Sequence, residues 1–269
     1  MDVLQTGFTF LPGIGRARER DLHRQGIYTW SDFLAAPSVE GLSVHAKARY
    51  DALLSQARRG CSTGKSRQIG VLLPGREHWR LYEWLRSQAA YVDIETDSWG
   101  RIVVVGIFAR ARFRSFVRGE SLYVATLAAE LTKYALLVTF NGTAFDLPRL
   151  LDAFPALPLD HPHFDLRIAC RRLGYVGGLK AVEQRLGILR PPEVSGLHGG
   201  HAVRLWNRWR YARDEAAKQR LLTYNRADCM NLMPLADHCY CEMARRAADE
   251  LSDPSAGDFP SRPRLRFPS

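Results

Sequence analysis

The chain has 269 residues, of which 46% are hydrophobic and 25% are charged. This composition is typical of a globular protein and excludes an intrinsically disordered one. No apolar run reaches the roughly 18 to 20 residues that span a bilayer, and the N-terminus lacks the pattern of a secretory signal. We therefore expect a cytoplasmic protein without a membrane partner.

The formal net charge is +10 and the pI is about 9.7, which favours an anionic partner such as nucleic acid. Six of the ten excess positive charges lie in residues 66–244, so the excess is not a property of a tail. A generally arginine-rich composition would give the same excess without any binding role. The five cysteines are scattered and contain no CxxC pair, which predicts reduced thiols rather than a zinc site or disulfides.

Residues 1–62 are predicted to form a small helical module. Its elements are a tight turn at LPGIG (11–15), a helix over Arg16–Gly26, a short helix capped by Thr29 or Ser31 that ends before Pro37, and a last helix to Gly60. The small polar stretch Cys61–Gln68 predicts a linker, and a helix near EHWRLYEWLRSQ completes a connecting segment at 63–87.

Residues 88–248 alternate apolar strands with helices. The predicted strands are AAYVDIE, RIVVVGIFAR, ARFRSFVRG, LLVTFN and HFDL, with helices at LYVATLAAELTKY, after Phe145, and from Arg167 to Ala248. Three early strands joined by tight turns and then a strand–helix–strand crossover predict an α/β fold, a mixed sheet flanked by helices. The proline-rich end, 249–269, is predicted to be a flexible tail.

Two acids interrupt the first apolar strand. Asp93 and Glu95 are two residues apart, so both side chains point to one face of the strand. Burying two like charges together is costly unless a cation neutralises them. The pair therefore indicates a hard cation with oxygen ligands, Mg²⁺ or Mn²⁺; a strand end that reaches solvent is the alternative.

Two further acids follow other elements. Asn141-Gly142 comes just after the apolar strand LLVTFN, and Asp146 begins the next helix, near the edge of the sheet where α/β sites form. We expect Gly142 to permit the tight turn there. Tyr224 and Asp228 are spaced i, i+4 on one helix face, a pattern that a solvated helix stripe would also give.

Taken together, D-I-E-T at 93–96, N-G-x-x-F-D at 141–146 and Y-N-x-x-D at 224–228 resemble the three ordered motifs of DEDD exonucleases, in their tyrosine subtype. The tryptophan-bearing segment HWRLYEWL before the first motif and HFDLRIACRRL after the second resemble the bacterial YprB-type, ribonuclease-H-like family. The similarity covers roughly residues 75–240. It implies a ribonuclease-H-like fold and a nuclease that uses two divalent ions.

The resemblance also implies roles for individual residues. Asp93 would bridge two metal ions about 3.5 to 4 Å apart, Glu95 and Asp228 would complete their shells, and Asp146 would hold one ion through water. Tyr224 would orient the attacking water rather than deprotonate it, since a tyrosine hydroxyl has a pKa near 10.

The remaining motif residues are expected to contact substrate or to support the site. The Thr96 backbone N–H would meet the terminal nucleotide, Asn141 would contact substrate or brace its loop, and Asp165 would have a supporting role. Asp97 and Trp99 depart from the small turn usual in related sequences. An acid beside the metals would repel a phosphate unless it points away, whereas Trp99 would either stack a base or pack on the protein.

Other segments predict contacts with nucleic acid. LPGIG followed by a helix resembles the helix-hairpin-helix module, in which Gly13 and Gly15 would let the backbone approach a phosphate. The alternative is a packing module that only orients the nuclease. Arg110, Arg112 and Arg114 alternate along one predicted strand, and RLWNRWRYAR (204–213) mixes arginines with aromatic residues; a solvated strand edge and an amphipathic core helix explain these patterns as well.

The sequence therefore predicts a divalent-metal-dependent 3′–5′ exonuclease that acts on single-stranded DNA or RNA. Two alternatives remain open at this point. One is a non-catalytic nucleic-acid-binding or scaffold protein on a nuclease fold, which the presence of all four acids and the tyrosine disfavours. The other is a structure-specific endonuclease that uses the same metal ions.

Overall fold

The computed structural model describes residues 3–252, so most of the tail predicted at 249–269 lies outside the described residues. The described chain divides into two compact units, residues 3–55 with 244–252, and Gln56–Met243. Each unit has its own set of buried side chains.

The first unit is helical, as predicted. It contains α1 (Arg16–Arg24), α2 (Trp30–Ala35) and the start of α3 (Val44–Ser62). Thr29 caps α2: its hydroxyl accepts the Asp32 N–H, and the Asp32 carboxylate accepts the Thr29 N–H. This reciprocal pair satisfies two backbone donors that the first helical turn leaves without partners. Trp30 and Phe33 are thereby turned inward, where both are fully buried.

The connection between α3 and the next helix is shorter than predicted. Cys61 and Ser62 extend α3, and Ser66–Leu72 form α4, so the prediction of a linker over Cys61–Gln68 is wrong at both ends. Gly64, with φ of +69°, ends α3 in the left-handed conformation that glycine adopts without strain. A 3₁₀ helix at Gly75–Leu81, α5 (Tyr82–Leu85) and a 3₁₀ turn at Arg86–Gln88 then lead into the sheet.

A five-stranded mixed sheet forms the centre of the second unit, as predicted. Its strands are β1 (Ala89–Thr96), β2 (Ile102–Ala109), β3 (Arg112–Val117), β4 (Leu136–Thr139) and β5 (His163–Asp165). Their order is β3-β2-β1-β4-β5. β1 pairs antiparallel with β2 and parallel with β4. The carboxyl ends of β1, β4 and β5 therefore meet at one edge of the sheet.

Helices cover both faces of this sheet. They are α6 (Val124–Leu131), α7 (Asp146–Ala153), α8 (Leu166–Leu173), α9 (Leu179–Leu186), α10 (Gly199–Ala212) and α11 (Glu215–Ser252). Side chains of α6 and α7 pack against one face, in a core that includes Ile94 and Ile107. Side chains of α10 and α11 pack against the other, in a core that includes Val104 and Val117. Although α11 has 38 residues, no helix within residues 3–252 has the length and apolar character needed to cross a membrane.

Candidate metal centre

Three of the predicted acids converge where β1 meets α11. Ligand oxygens of Asp93, Glu95 and Asp228 all lie within 4.8 Å of one another. Asp93 and Glu95 share a strand face because they are two residues apart, and that face is the one packed by α10 and α11. Asp228 reaches them from α11, and the Glu95 and Asp228 side chains are buried.

Asp146 lies beside this group rather than within it. It is the first residue of α7, and its Oδ1 accepts the backbone N–H of Ile94 at 3.2 Å. Asp146 is therefore held against β1 at the residue between Asp93 and Glu95. The pKa of Asp146 is raised to about 7, chiefly by burial; the Ile94 N–H opposes this rise, and the nearby carboxylates of Asp165 and Asp228 contribute to it.

Burial, together with the crowding of like charges, raises the pKa values of the acids at the site. Burial, followed by the charges of neighbouring acids, raises the pKa of Asp93 and of Glu95 well above the usual range. Burial also raises the pKa of Asp228, although Arg190 and Lys180 oppose it. Without a cation, these acids gain stability by taking up protons.

The acids present the donor set that a hard divalent cation requires. Glu95 Oε1 is buried and accepts no hydrogen bond from any residue that the structure describes, which leaves a lone pair for another ligand. Carboxylate oxygens are the preferred ligands of Mg²⁺ and Mn²⁺. The residues therefore fit the predicted metal site, and Asp93, Glu95 and Asp228 could hold an ion directly.

The turn after β4 depends on Gly142, as predicted. The residue with the left-handed conformation is Asn141, with φ of +72°, and not Gly142. Gly142 is needed because any Cβ there would overlap the side chain of Thr139, whose hydroxyl accepts the Gly142 N–H. Asn141 Oδ1 accepts a hydrogen bond from Arg167 at 2.7 Å. Asn141 thus braces its loop, one of the two roles expected for it.

Asp165 holds the same turn from the end of β5. Its two carboxylate oxygens accept backbone N–H groups of Asn141 at 2.8 Å and Thr143 at 3.0 Å. It also caps α8 by accepting the N–H of Arg167. A buried carboxylate committed to three backbone donors supports the loop that precedes Asp146, in agreement with the supporting role expected for it.

Tyr224 lies one helical turn before Asp228 and points to the same site. Its hydroxyl oxygen accepts a hydrogen bond from Lys180 Nζ at 2.6 Å. Burial and the charges of Asp228, Glu95 and Asp93 raise the pKa of Tyr224, so the hydroxyl keeps its proton. Since Lys180 donates to the oxygen, that proton is left to donate to another acceptor. The arrangement suits a residue that orients a water molecule.

Two basic residues that sequence analysis did not single out compensate the acids. Arg190 donates to both oxygens of Glu183, at 2.5 and 2.7 Å, and its Nη2 lies 2.5 Å from Asp228 Oδ1. Lys180 reaches Tyr224 from α9. Neither was detectable from spacing, because Arg190 lies in the irregular segment after α9 and Lys180 on an amphipathic helix whose charges resemble a solvated face.

Asn225 fixes the position of Asp93. Its Nδ2 donates to the Asp93 carboxylate at 2.8 Å and to the Asp93 carbonyl at 3.2 Å. This approach is possible because Gly106, the β2 residue paired with Asp93, has no side chain. A Cβ at position 106 would overlap Asn225 and lie 2.8 Å from the Cys229 sulphur. Asn225 falls inside the Y-N-x-x-D motif, which is the signal that could have indicated it.

Asp97 points away from the acids. Its Oδ1 accepts the backbone N–H groups of Trp99 and Arg101, at 3.0 and 2.9 Å, and Oδ2 lies 3.5 Å from Arg118. The carboxylate thus stabilises the turn between β1 and β2 and does not face a phosphate at the metal site. Trp99 is 62% exposed, so it does not pack into a core. Thr96, the last residue of β1, lies at a bulge where the register with β2 shifts.

The other predicted nucleic-acid contacts lie away from the acids or in the other unit. Arg110 belongs to the turn between β2 and β3, with φ of +49°, and not to a strand as predicted. Arg114 pairs with Ile107 and Arg112 with Ala109, whereas Asp93 pairs with Gly106. Since directly paired residues share a face and alternate along a strand, Arg112 and Arg114 lie on the face opposite to Asp93 and Glu95. They do not extend a track from those acids, and Arg114 forms an ion pair with Glu130 at 3.2 Å.

The segment 204–213 is an amphipathic core helix, the alternative considered for it. Trp206 and Trp209 of α10 are buried in the core beneath α11. In the first unit, Gly13 has φ of +80° and requires glycine, whereas Gly15 has ordinary extended backbone before α1 and open space at its Cβ position. Whether either glycine meets nucleic acid stays a prediction.

Comparison with known proteins places the chain in a family. No curated protein and no solved structure was found to match it. The family model of the RNase H superfamily matches residues 90–240, which include the five strands apart from Ala89 and the four acids Asp93, Glu95, Asp146 and Asp228. That match spans more than half of the chain. With its acidic cluster at the sheet edge, the second unit is an RNase H-like nuclease domain, and the chain belongs to the RNase H superfamily.

Proposed function

We propose that the protein is a divalent-metal-dependent 3′–5′ exonuclease that hydrolyses single-stranded DNA or RNA. The observation that carries this proposal is the convergence of Asp93, Glu95 and Asp228 within 4.8 Å, with Tyr224 one helical turn before Asp228. Exonuclease polarity and the YprB-type, tyrosine-subtype assignment are supported by the resemblance of the three motifs and their flanks.

Each residue of the site would have a separate role in phosphodiester hydrolysis. Asp93, Glu95 and Asp228 would hold the ions, and Asp146 would bind one of them through water. Two bound Mg²⁺ or Mn²⁺ ions would activate the attacking water and stabilise both the attacking and leaving oxygens. Tyr224 would orient the attacking water through its hydroxyl proton. Lys180 would hold the Tyr224 oxygen, and Asn225 would hold Asp93.

Cleavage of end-labelled strands tests this proposal. Single-stranded DNA and RNA with a 5′ label are incubated with Mg²⁺, Mn²⁺ or EDTA, and products are followed over time. We expect a metal-dependent ladder that shortens from the 3′ end and stops at a blocked 3′ terminus. Internal cuts in circular single strands would instead identify an endonuclease.

One contact favours the alternative of a non-catalytic nucleic-acid-binding or scaffold protein. Arg190, at 2.5 Å from Asp228, already supplies a positive charge to one carboxylate that a metal would otherwise neutralise. If purified protein bound nucleic acid but showed no cleavage with either metal, and no metal binding by calorimetry, the scaffold function would replace the exonuclease.

The first unit would add contacts with the substrate. We propose that residues 1–62 form a helix-hairpin-helix-like module, with 63–87 as a connecting segment and 88–248 as the exonuclease domain. The left-handed Gly13 and the backbone N–H groups that follow Gly15 at the start of α1 support a site where a phosphate could approach. Removal of residues 1–62 should weaken binding of long strands more than it slows cleavage of short ones.

A further inference from the structure

An arginine-lined cavity lies beyond the metal centre, at the same end of β1. Its volume is 480 Å³, and it is lined by the turn between β1 and β2, the segment after β3, and α7. Four charged residues line it, namely Arg101, Arg118, Arg149 and Asp152. We call it the arginine pocket.

The pocket adjoins both segments that carry the metal-binding acids. Arg101 ends the turn that follows Glu95 and Thr96. Arg149 lies three residues after Asp146 on α7, and its Nη1 donates to the Gly100 carbonyl at 2.8 Å. This hydrogen bond ties α7 to the turn after β1. The pocket is thus connected through a short stretch of chain to β1 and to Asp146.

The three guanidinium groups are positioned but not saturated by protein contacts. Arg149 stacks 4.5 Å from the Phe145 ring centroid, and Arg101 lies 5.2 Å from that of Trp99. Arg118 lies 3.5 Å from Asp97. Because a guanidinium carries five N–H donors, each retains more donors than these contacts use.

Positive charge exceeds negative charge in the pocket. Asp152, which is exposed, is the acid of the lining, and Asp97, whose carboxylate lies behind Arg118 and accepts hydrogen bonds within its own turn, is not part of it. Burial lowers the pKa of Arg118; the charge of Asp97 opposes this, and the like charges of Arg101 and Arg210 lower the pKa further. Cations held this close together, with few acids among them, favour a bound anion.

An exposed aromatic side chain adjoins the cations. Trp99 is 62% exposed, although a tryptophan in a folded protein is usually mostly buried. Arginines beside an exposed aromatic ring are the combination that binds single strands, since the cations contact phosphates and the ring stacks on a base of any identity.

We propose that the arginine pocket binds a backbone phosphate of a single-stranded DNA or RNA substrate, away from the scissile bond, and that Trp99 stacks on the neighbouring base. This inference rests on the nucleic-acid substrate of the proposed function. It concerns binding alone, so it can be tested without cleavage.

The test measures the affinity of the full-length protein for a labelled single strand of about 20 nucleotides, in EDTA, over a range of salt concentrations. Arg101→Gln and Arg149→Gln should each weaken binding about 3- to 10-fold and lower the slope of log K against log salt by about 0.7. Asp152→Asn should strengthen binding about 2- to 5-fold, because it removes the acid from the lining. Trp99→Ala should weaken binding with little change in slope.

Arg112→Gln is the matched control. It removes one exposed arginine at the start of β3, beside the turn between β2 and β3 and therefore at the end of these strands away from the pocket, and we expect its affinity to equal that of the wild type. An equal loss in Arg112→Gln and Arg101→Gln would overturn the proposal, because net charge alone would explain both. Unchanged binding in Arg101→Gln and Arg149→Gln, failure of Asp152→Asn to strengthen binding, or no measurable binding of the strand would overturn it as well.

Strands in which one phosphate is replaced by an uncharged linkage identify the phosphate that the arginine pocket binds. Strands with one uncharged methylphosphonate at successive positions should reveal one position where the wild type loses affinity and Arg101→Gln does not. If tripolyphosphate binds the wild type but not Arg101→Gln or Arg149→Gln, and does not displace the strand, the pocket belongs to free phosphate and the proposal is overturned. Cleavage by the same preparations in Mg²⁺ or Mn²⁺ is measured separately. Binding through the pocket without cleavage contradicts only the proposed function. Cleavage by the wild type, with unaltered strand binding in Arg101→Gln and Arg149→Gln, contradicts only the proposed role of the pocket.

Discussion

Two clusters of like charge lie at the same end of β1, and they are built in opposite ways. The acids Asp93, Glu95 and Asp228 are crowded within 4.8 Å, and burial raises their pKa values. The arginines of the pocket surround a cavity of 480 Å³, and each is anchored by a carbonyl, a ring or a carboxylate.

The difference indicates what each cluster binds. Buried charges at short range are stable only with a compact counter-ion of high charge, because little water solvates them. Cations around an open cavity keep part of their hydration and can meet a larger, more diffuse anion such as a phosphodiester. The acids would therefore serve the chemistry, and the arginines would position the strand.

The largest expected effect comes from breaking the acidic cluster. Asp93→Asn or Asp228→Asn should lower the cleavage rate by about 1,000-fold or more, because each removes a ligand charge that metal catalysis requires. Binding of single strands in EDTA should be retained. Rates in Mn²⁺, with circular dichroism as the folding check, measure this.

Glu83→Gln is the matched control for those variants, since it removes an exposed acid of α5 outside the cluster. It should cleave like the wild type. Near-normal, metal-dependent turnover by Asp93→Asn would contradict the assignment of the metal centre.

A smaller effect is expected from changes to Tyr224 and Lys180, the two residues proposed to orient the attacking water. Tyr224→Phe should lower kcat about 10- to 100-fold with little change in KM. Lys180→Met should have a similar or smaller effect, because Lys180 contacts the Tyr224 hydroxyl at 2.6 Å.

The double variant distinguishes positioning from an independent role. If Lys180 acts through the tyrosine hydroxyl, Lys180→Met should add little loss to Tyr224→Phe. Fully multiplicative losses would show that Lys180 contacts the substrate or the ions on its own. Melting temperatures of the three variants would show whether any loss reflects unfolding.

Stability without metal offers a third test of the buried acids. Since the pKa of Asp146 is raised to about 7 in the folded state, its ionised form destabilises the fold above that pH, and the cost disappears as the pH falls towards the usual range. Asp146→Asn should therefore raise the free energy of unfolding in EDTA at pH 8 by an amount on the order of 1 to 3 kcal/mol, since one pKa unit corresponds to about 1.4 kcal/mol.

Denaturant unfolding at pH 8, 6.5 and 5 measures that difference. We expect the advantage of Asp146→Asn to shrink steadily towards pH 5. Added Mn²⁺ should stabilise the wild type more than the variant. A variant that is less stable than the wild type at pH 8 in EDTA would show that the Asp146 charge is compensated in the fold.

The smallest expected effect concerns the first unit. Gly15→Ala places a methyl group in open space at an ordinary backbone conformation, so the melting temperature should not change. If phosphates approach the turn, affinity for long strands should still fall about 2-fold. Gly13→Ala, at φ of +80°, is expected to cost about 1 kcal/mol of stability in addition.

Sequence analysis predicted the sheet from local periodicity, and it predicted the acids from local spacing together with the resemblance of three ordered motifs to DEDD exonucleases. Asp93 and Glu95 interrupt an apolar strand at i and i+2, and Tyr224 and Asp228 are one helical turn apart. The residues it missed act across long separations. Arg190 contacts Asp228 from the segment after α9, and Lys180 contacts Tyr224 from α9. The sequences that flank Arg190 and Lys180 give no indication of these contacts.

Another error concerns arginine, a residue type that occurs both at binding surfaces and on solvated strands. The alternation of Arg110, Arg112 and Arg114 predicted one binding face, but the left-handed Arg110 ends the strand pattern and the register turns the other two away from the acids. Gly142 permits the tight turn after β4, as expected, although the left-handed residue of that turn is Asn141. The glycine is needed for space beside Thr139.

Gly106 gives the second unit a conflict between strand propensity and activity. Its neighbours Val105 and Ile107 are strong strand formers, and a glycine between them weakens the strand. A redesign for thermal stability would place valine or threonine at this position. Such a side chain would displace Asn225 and, through it, Asp93, so selection for stability and selection for cleavage should choose different residues at a position that touches neither metal nor substrate.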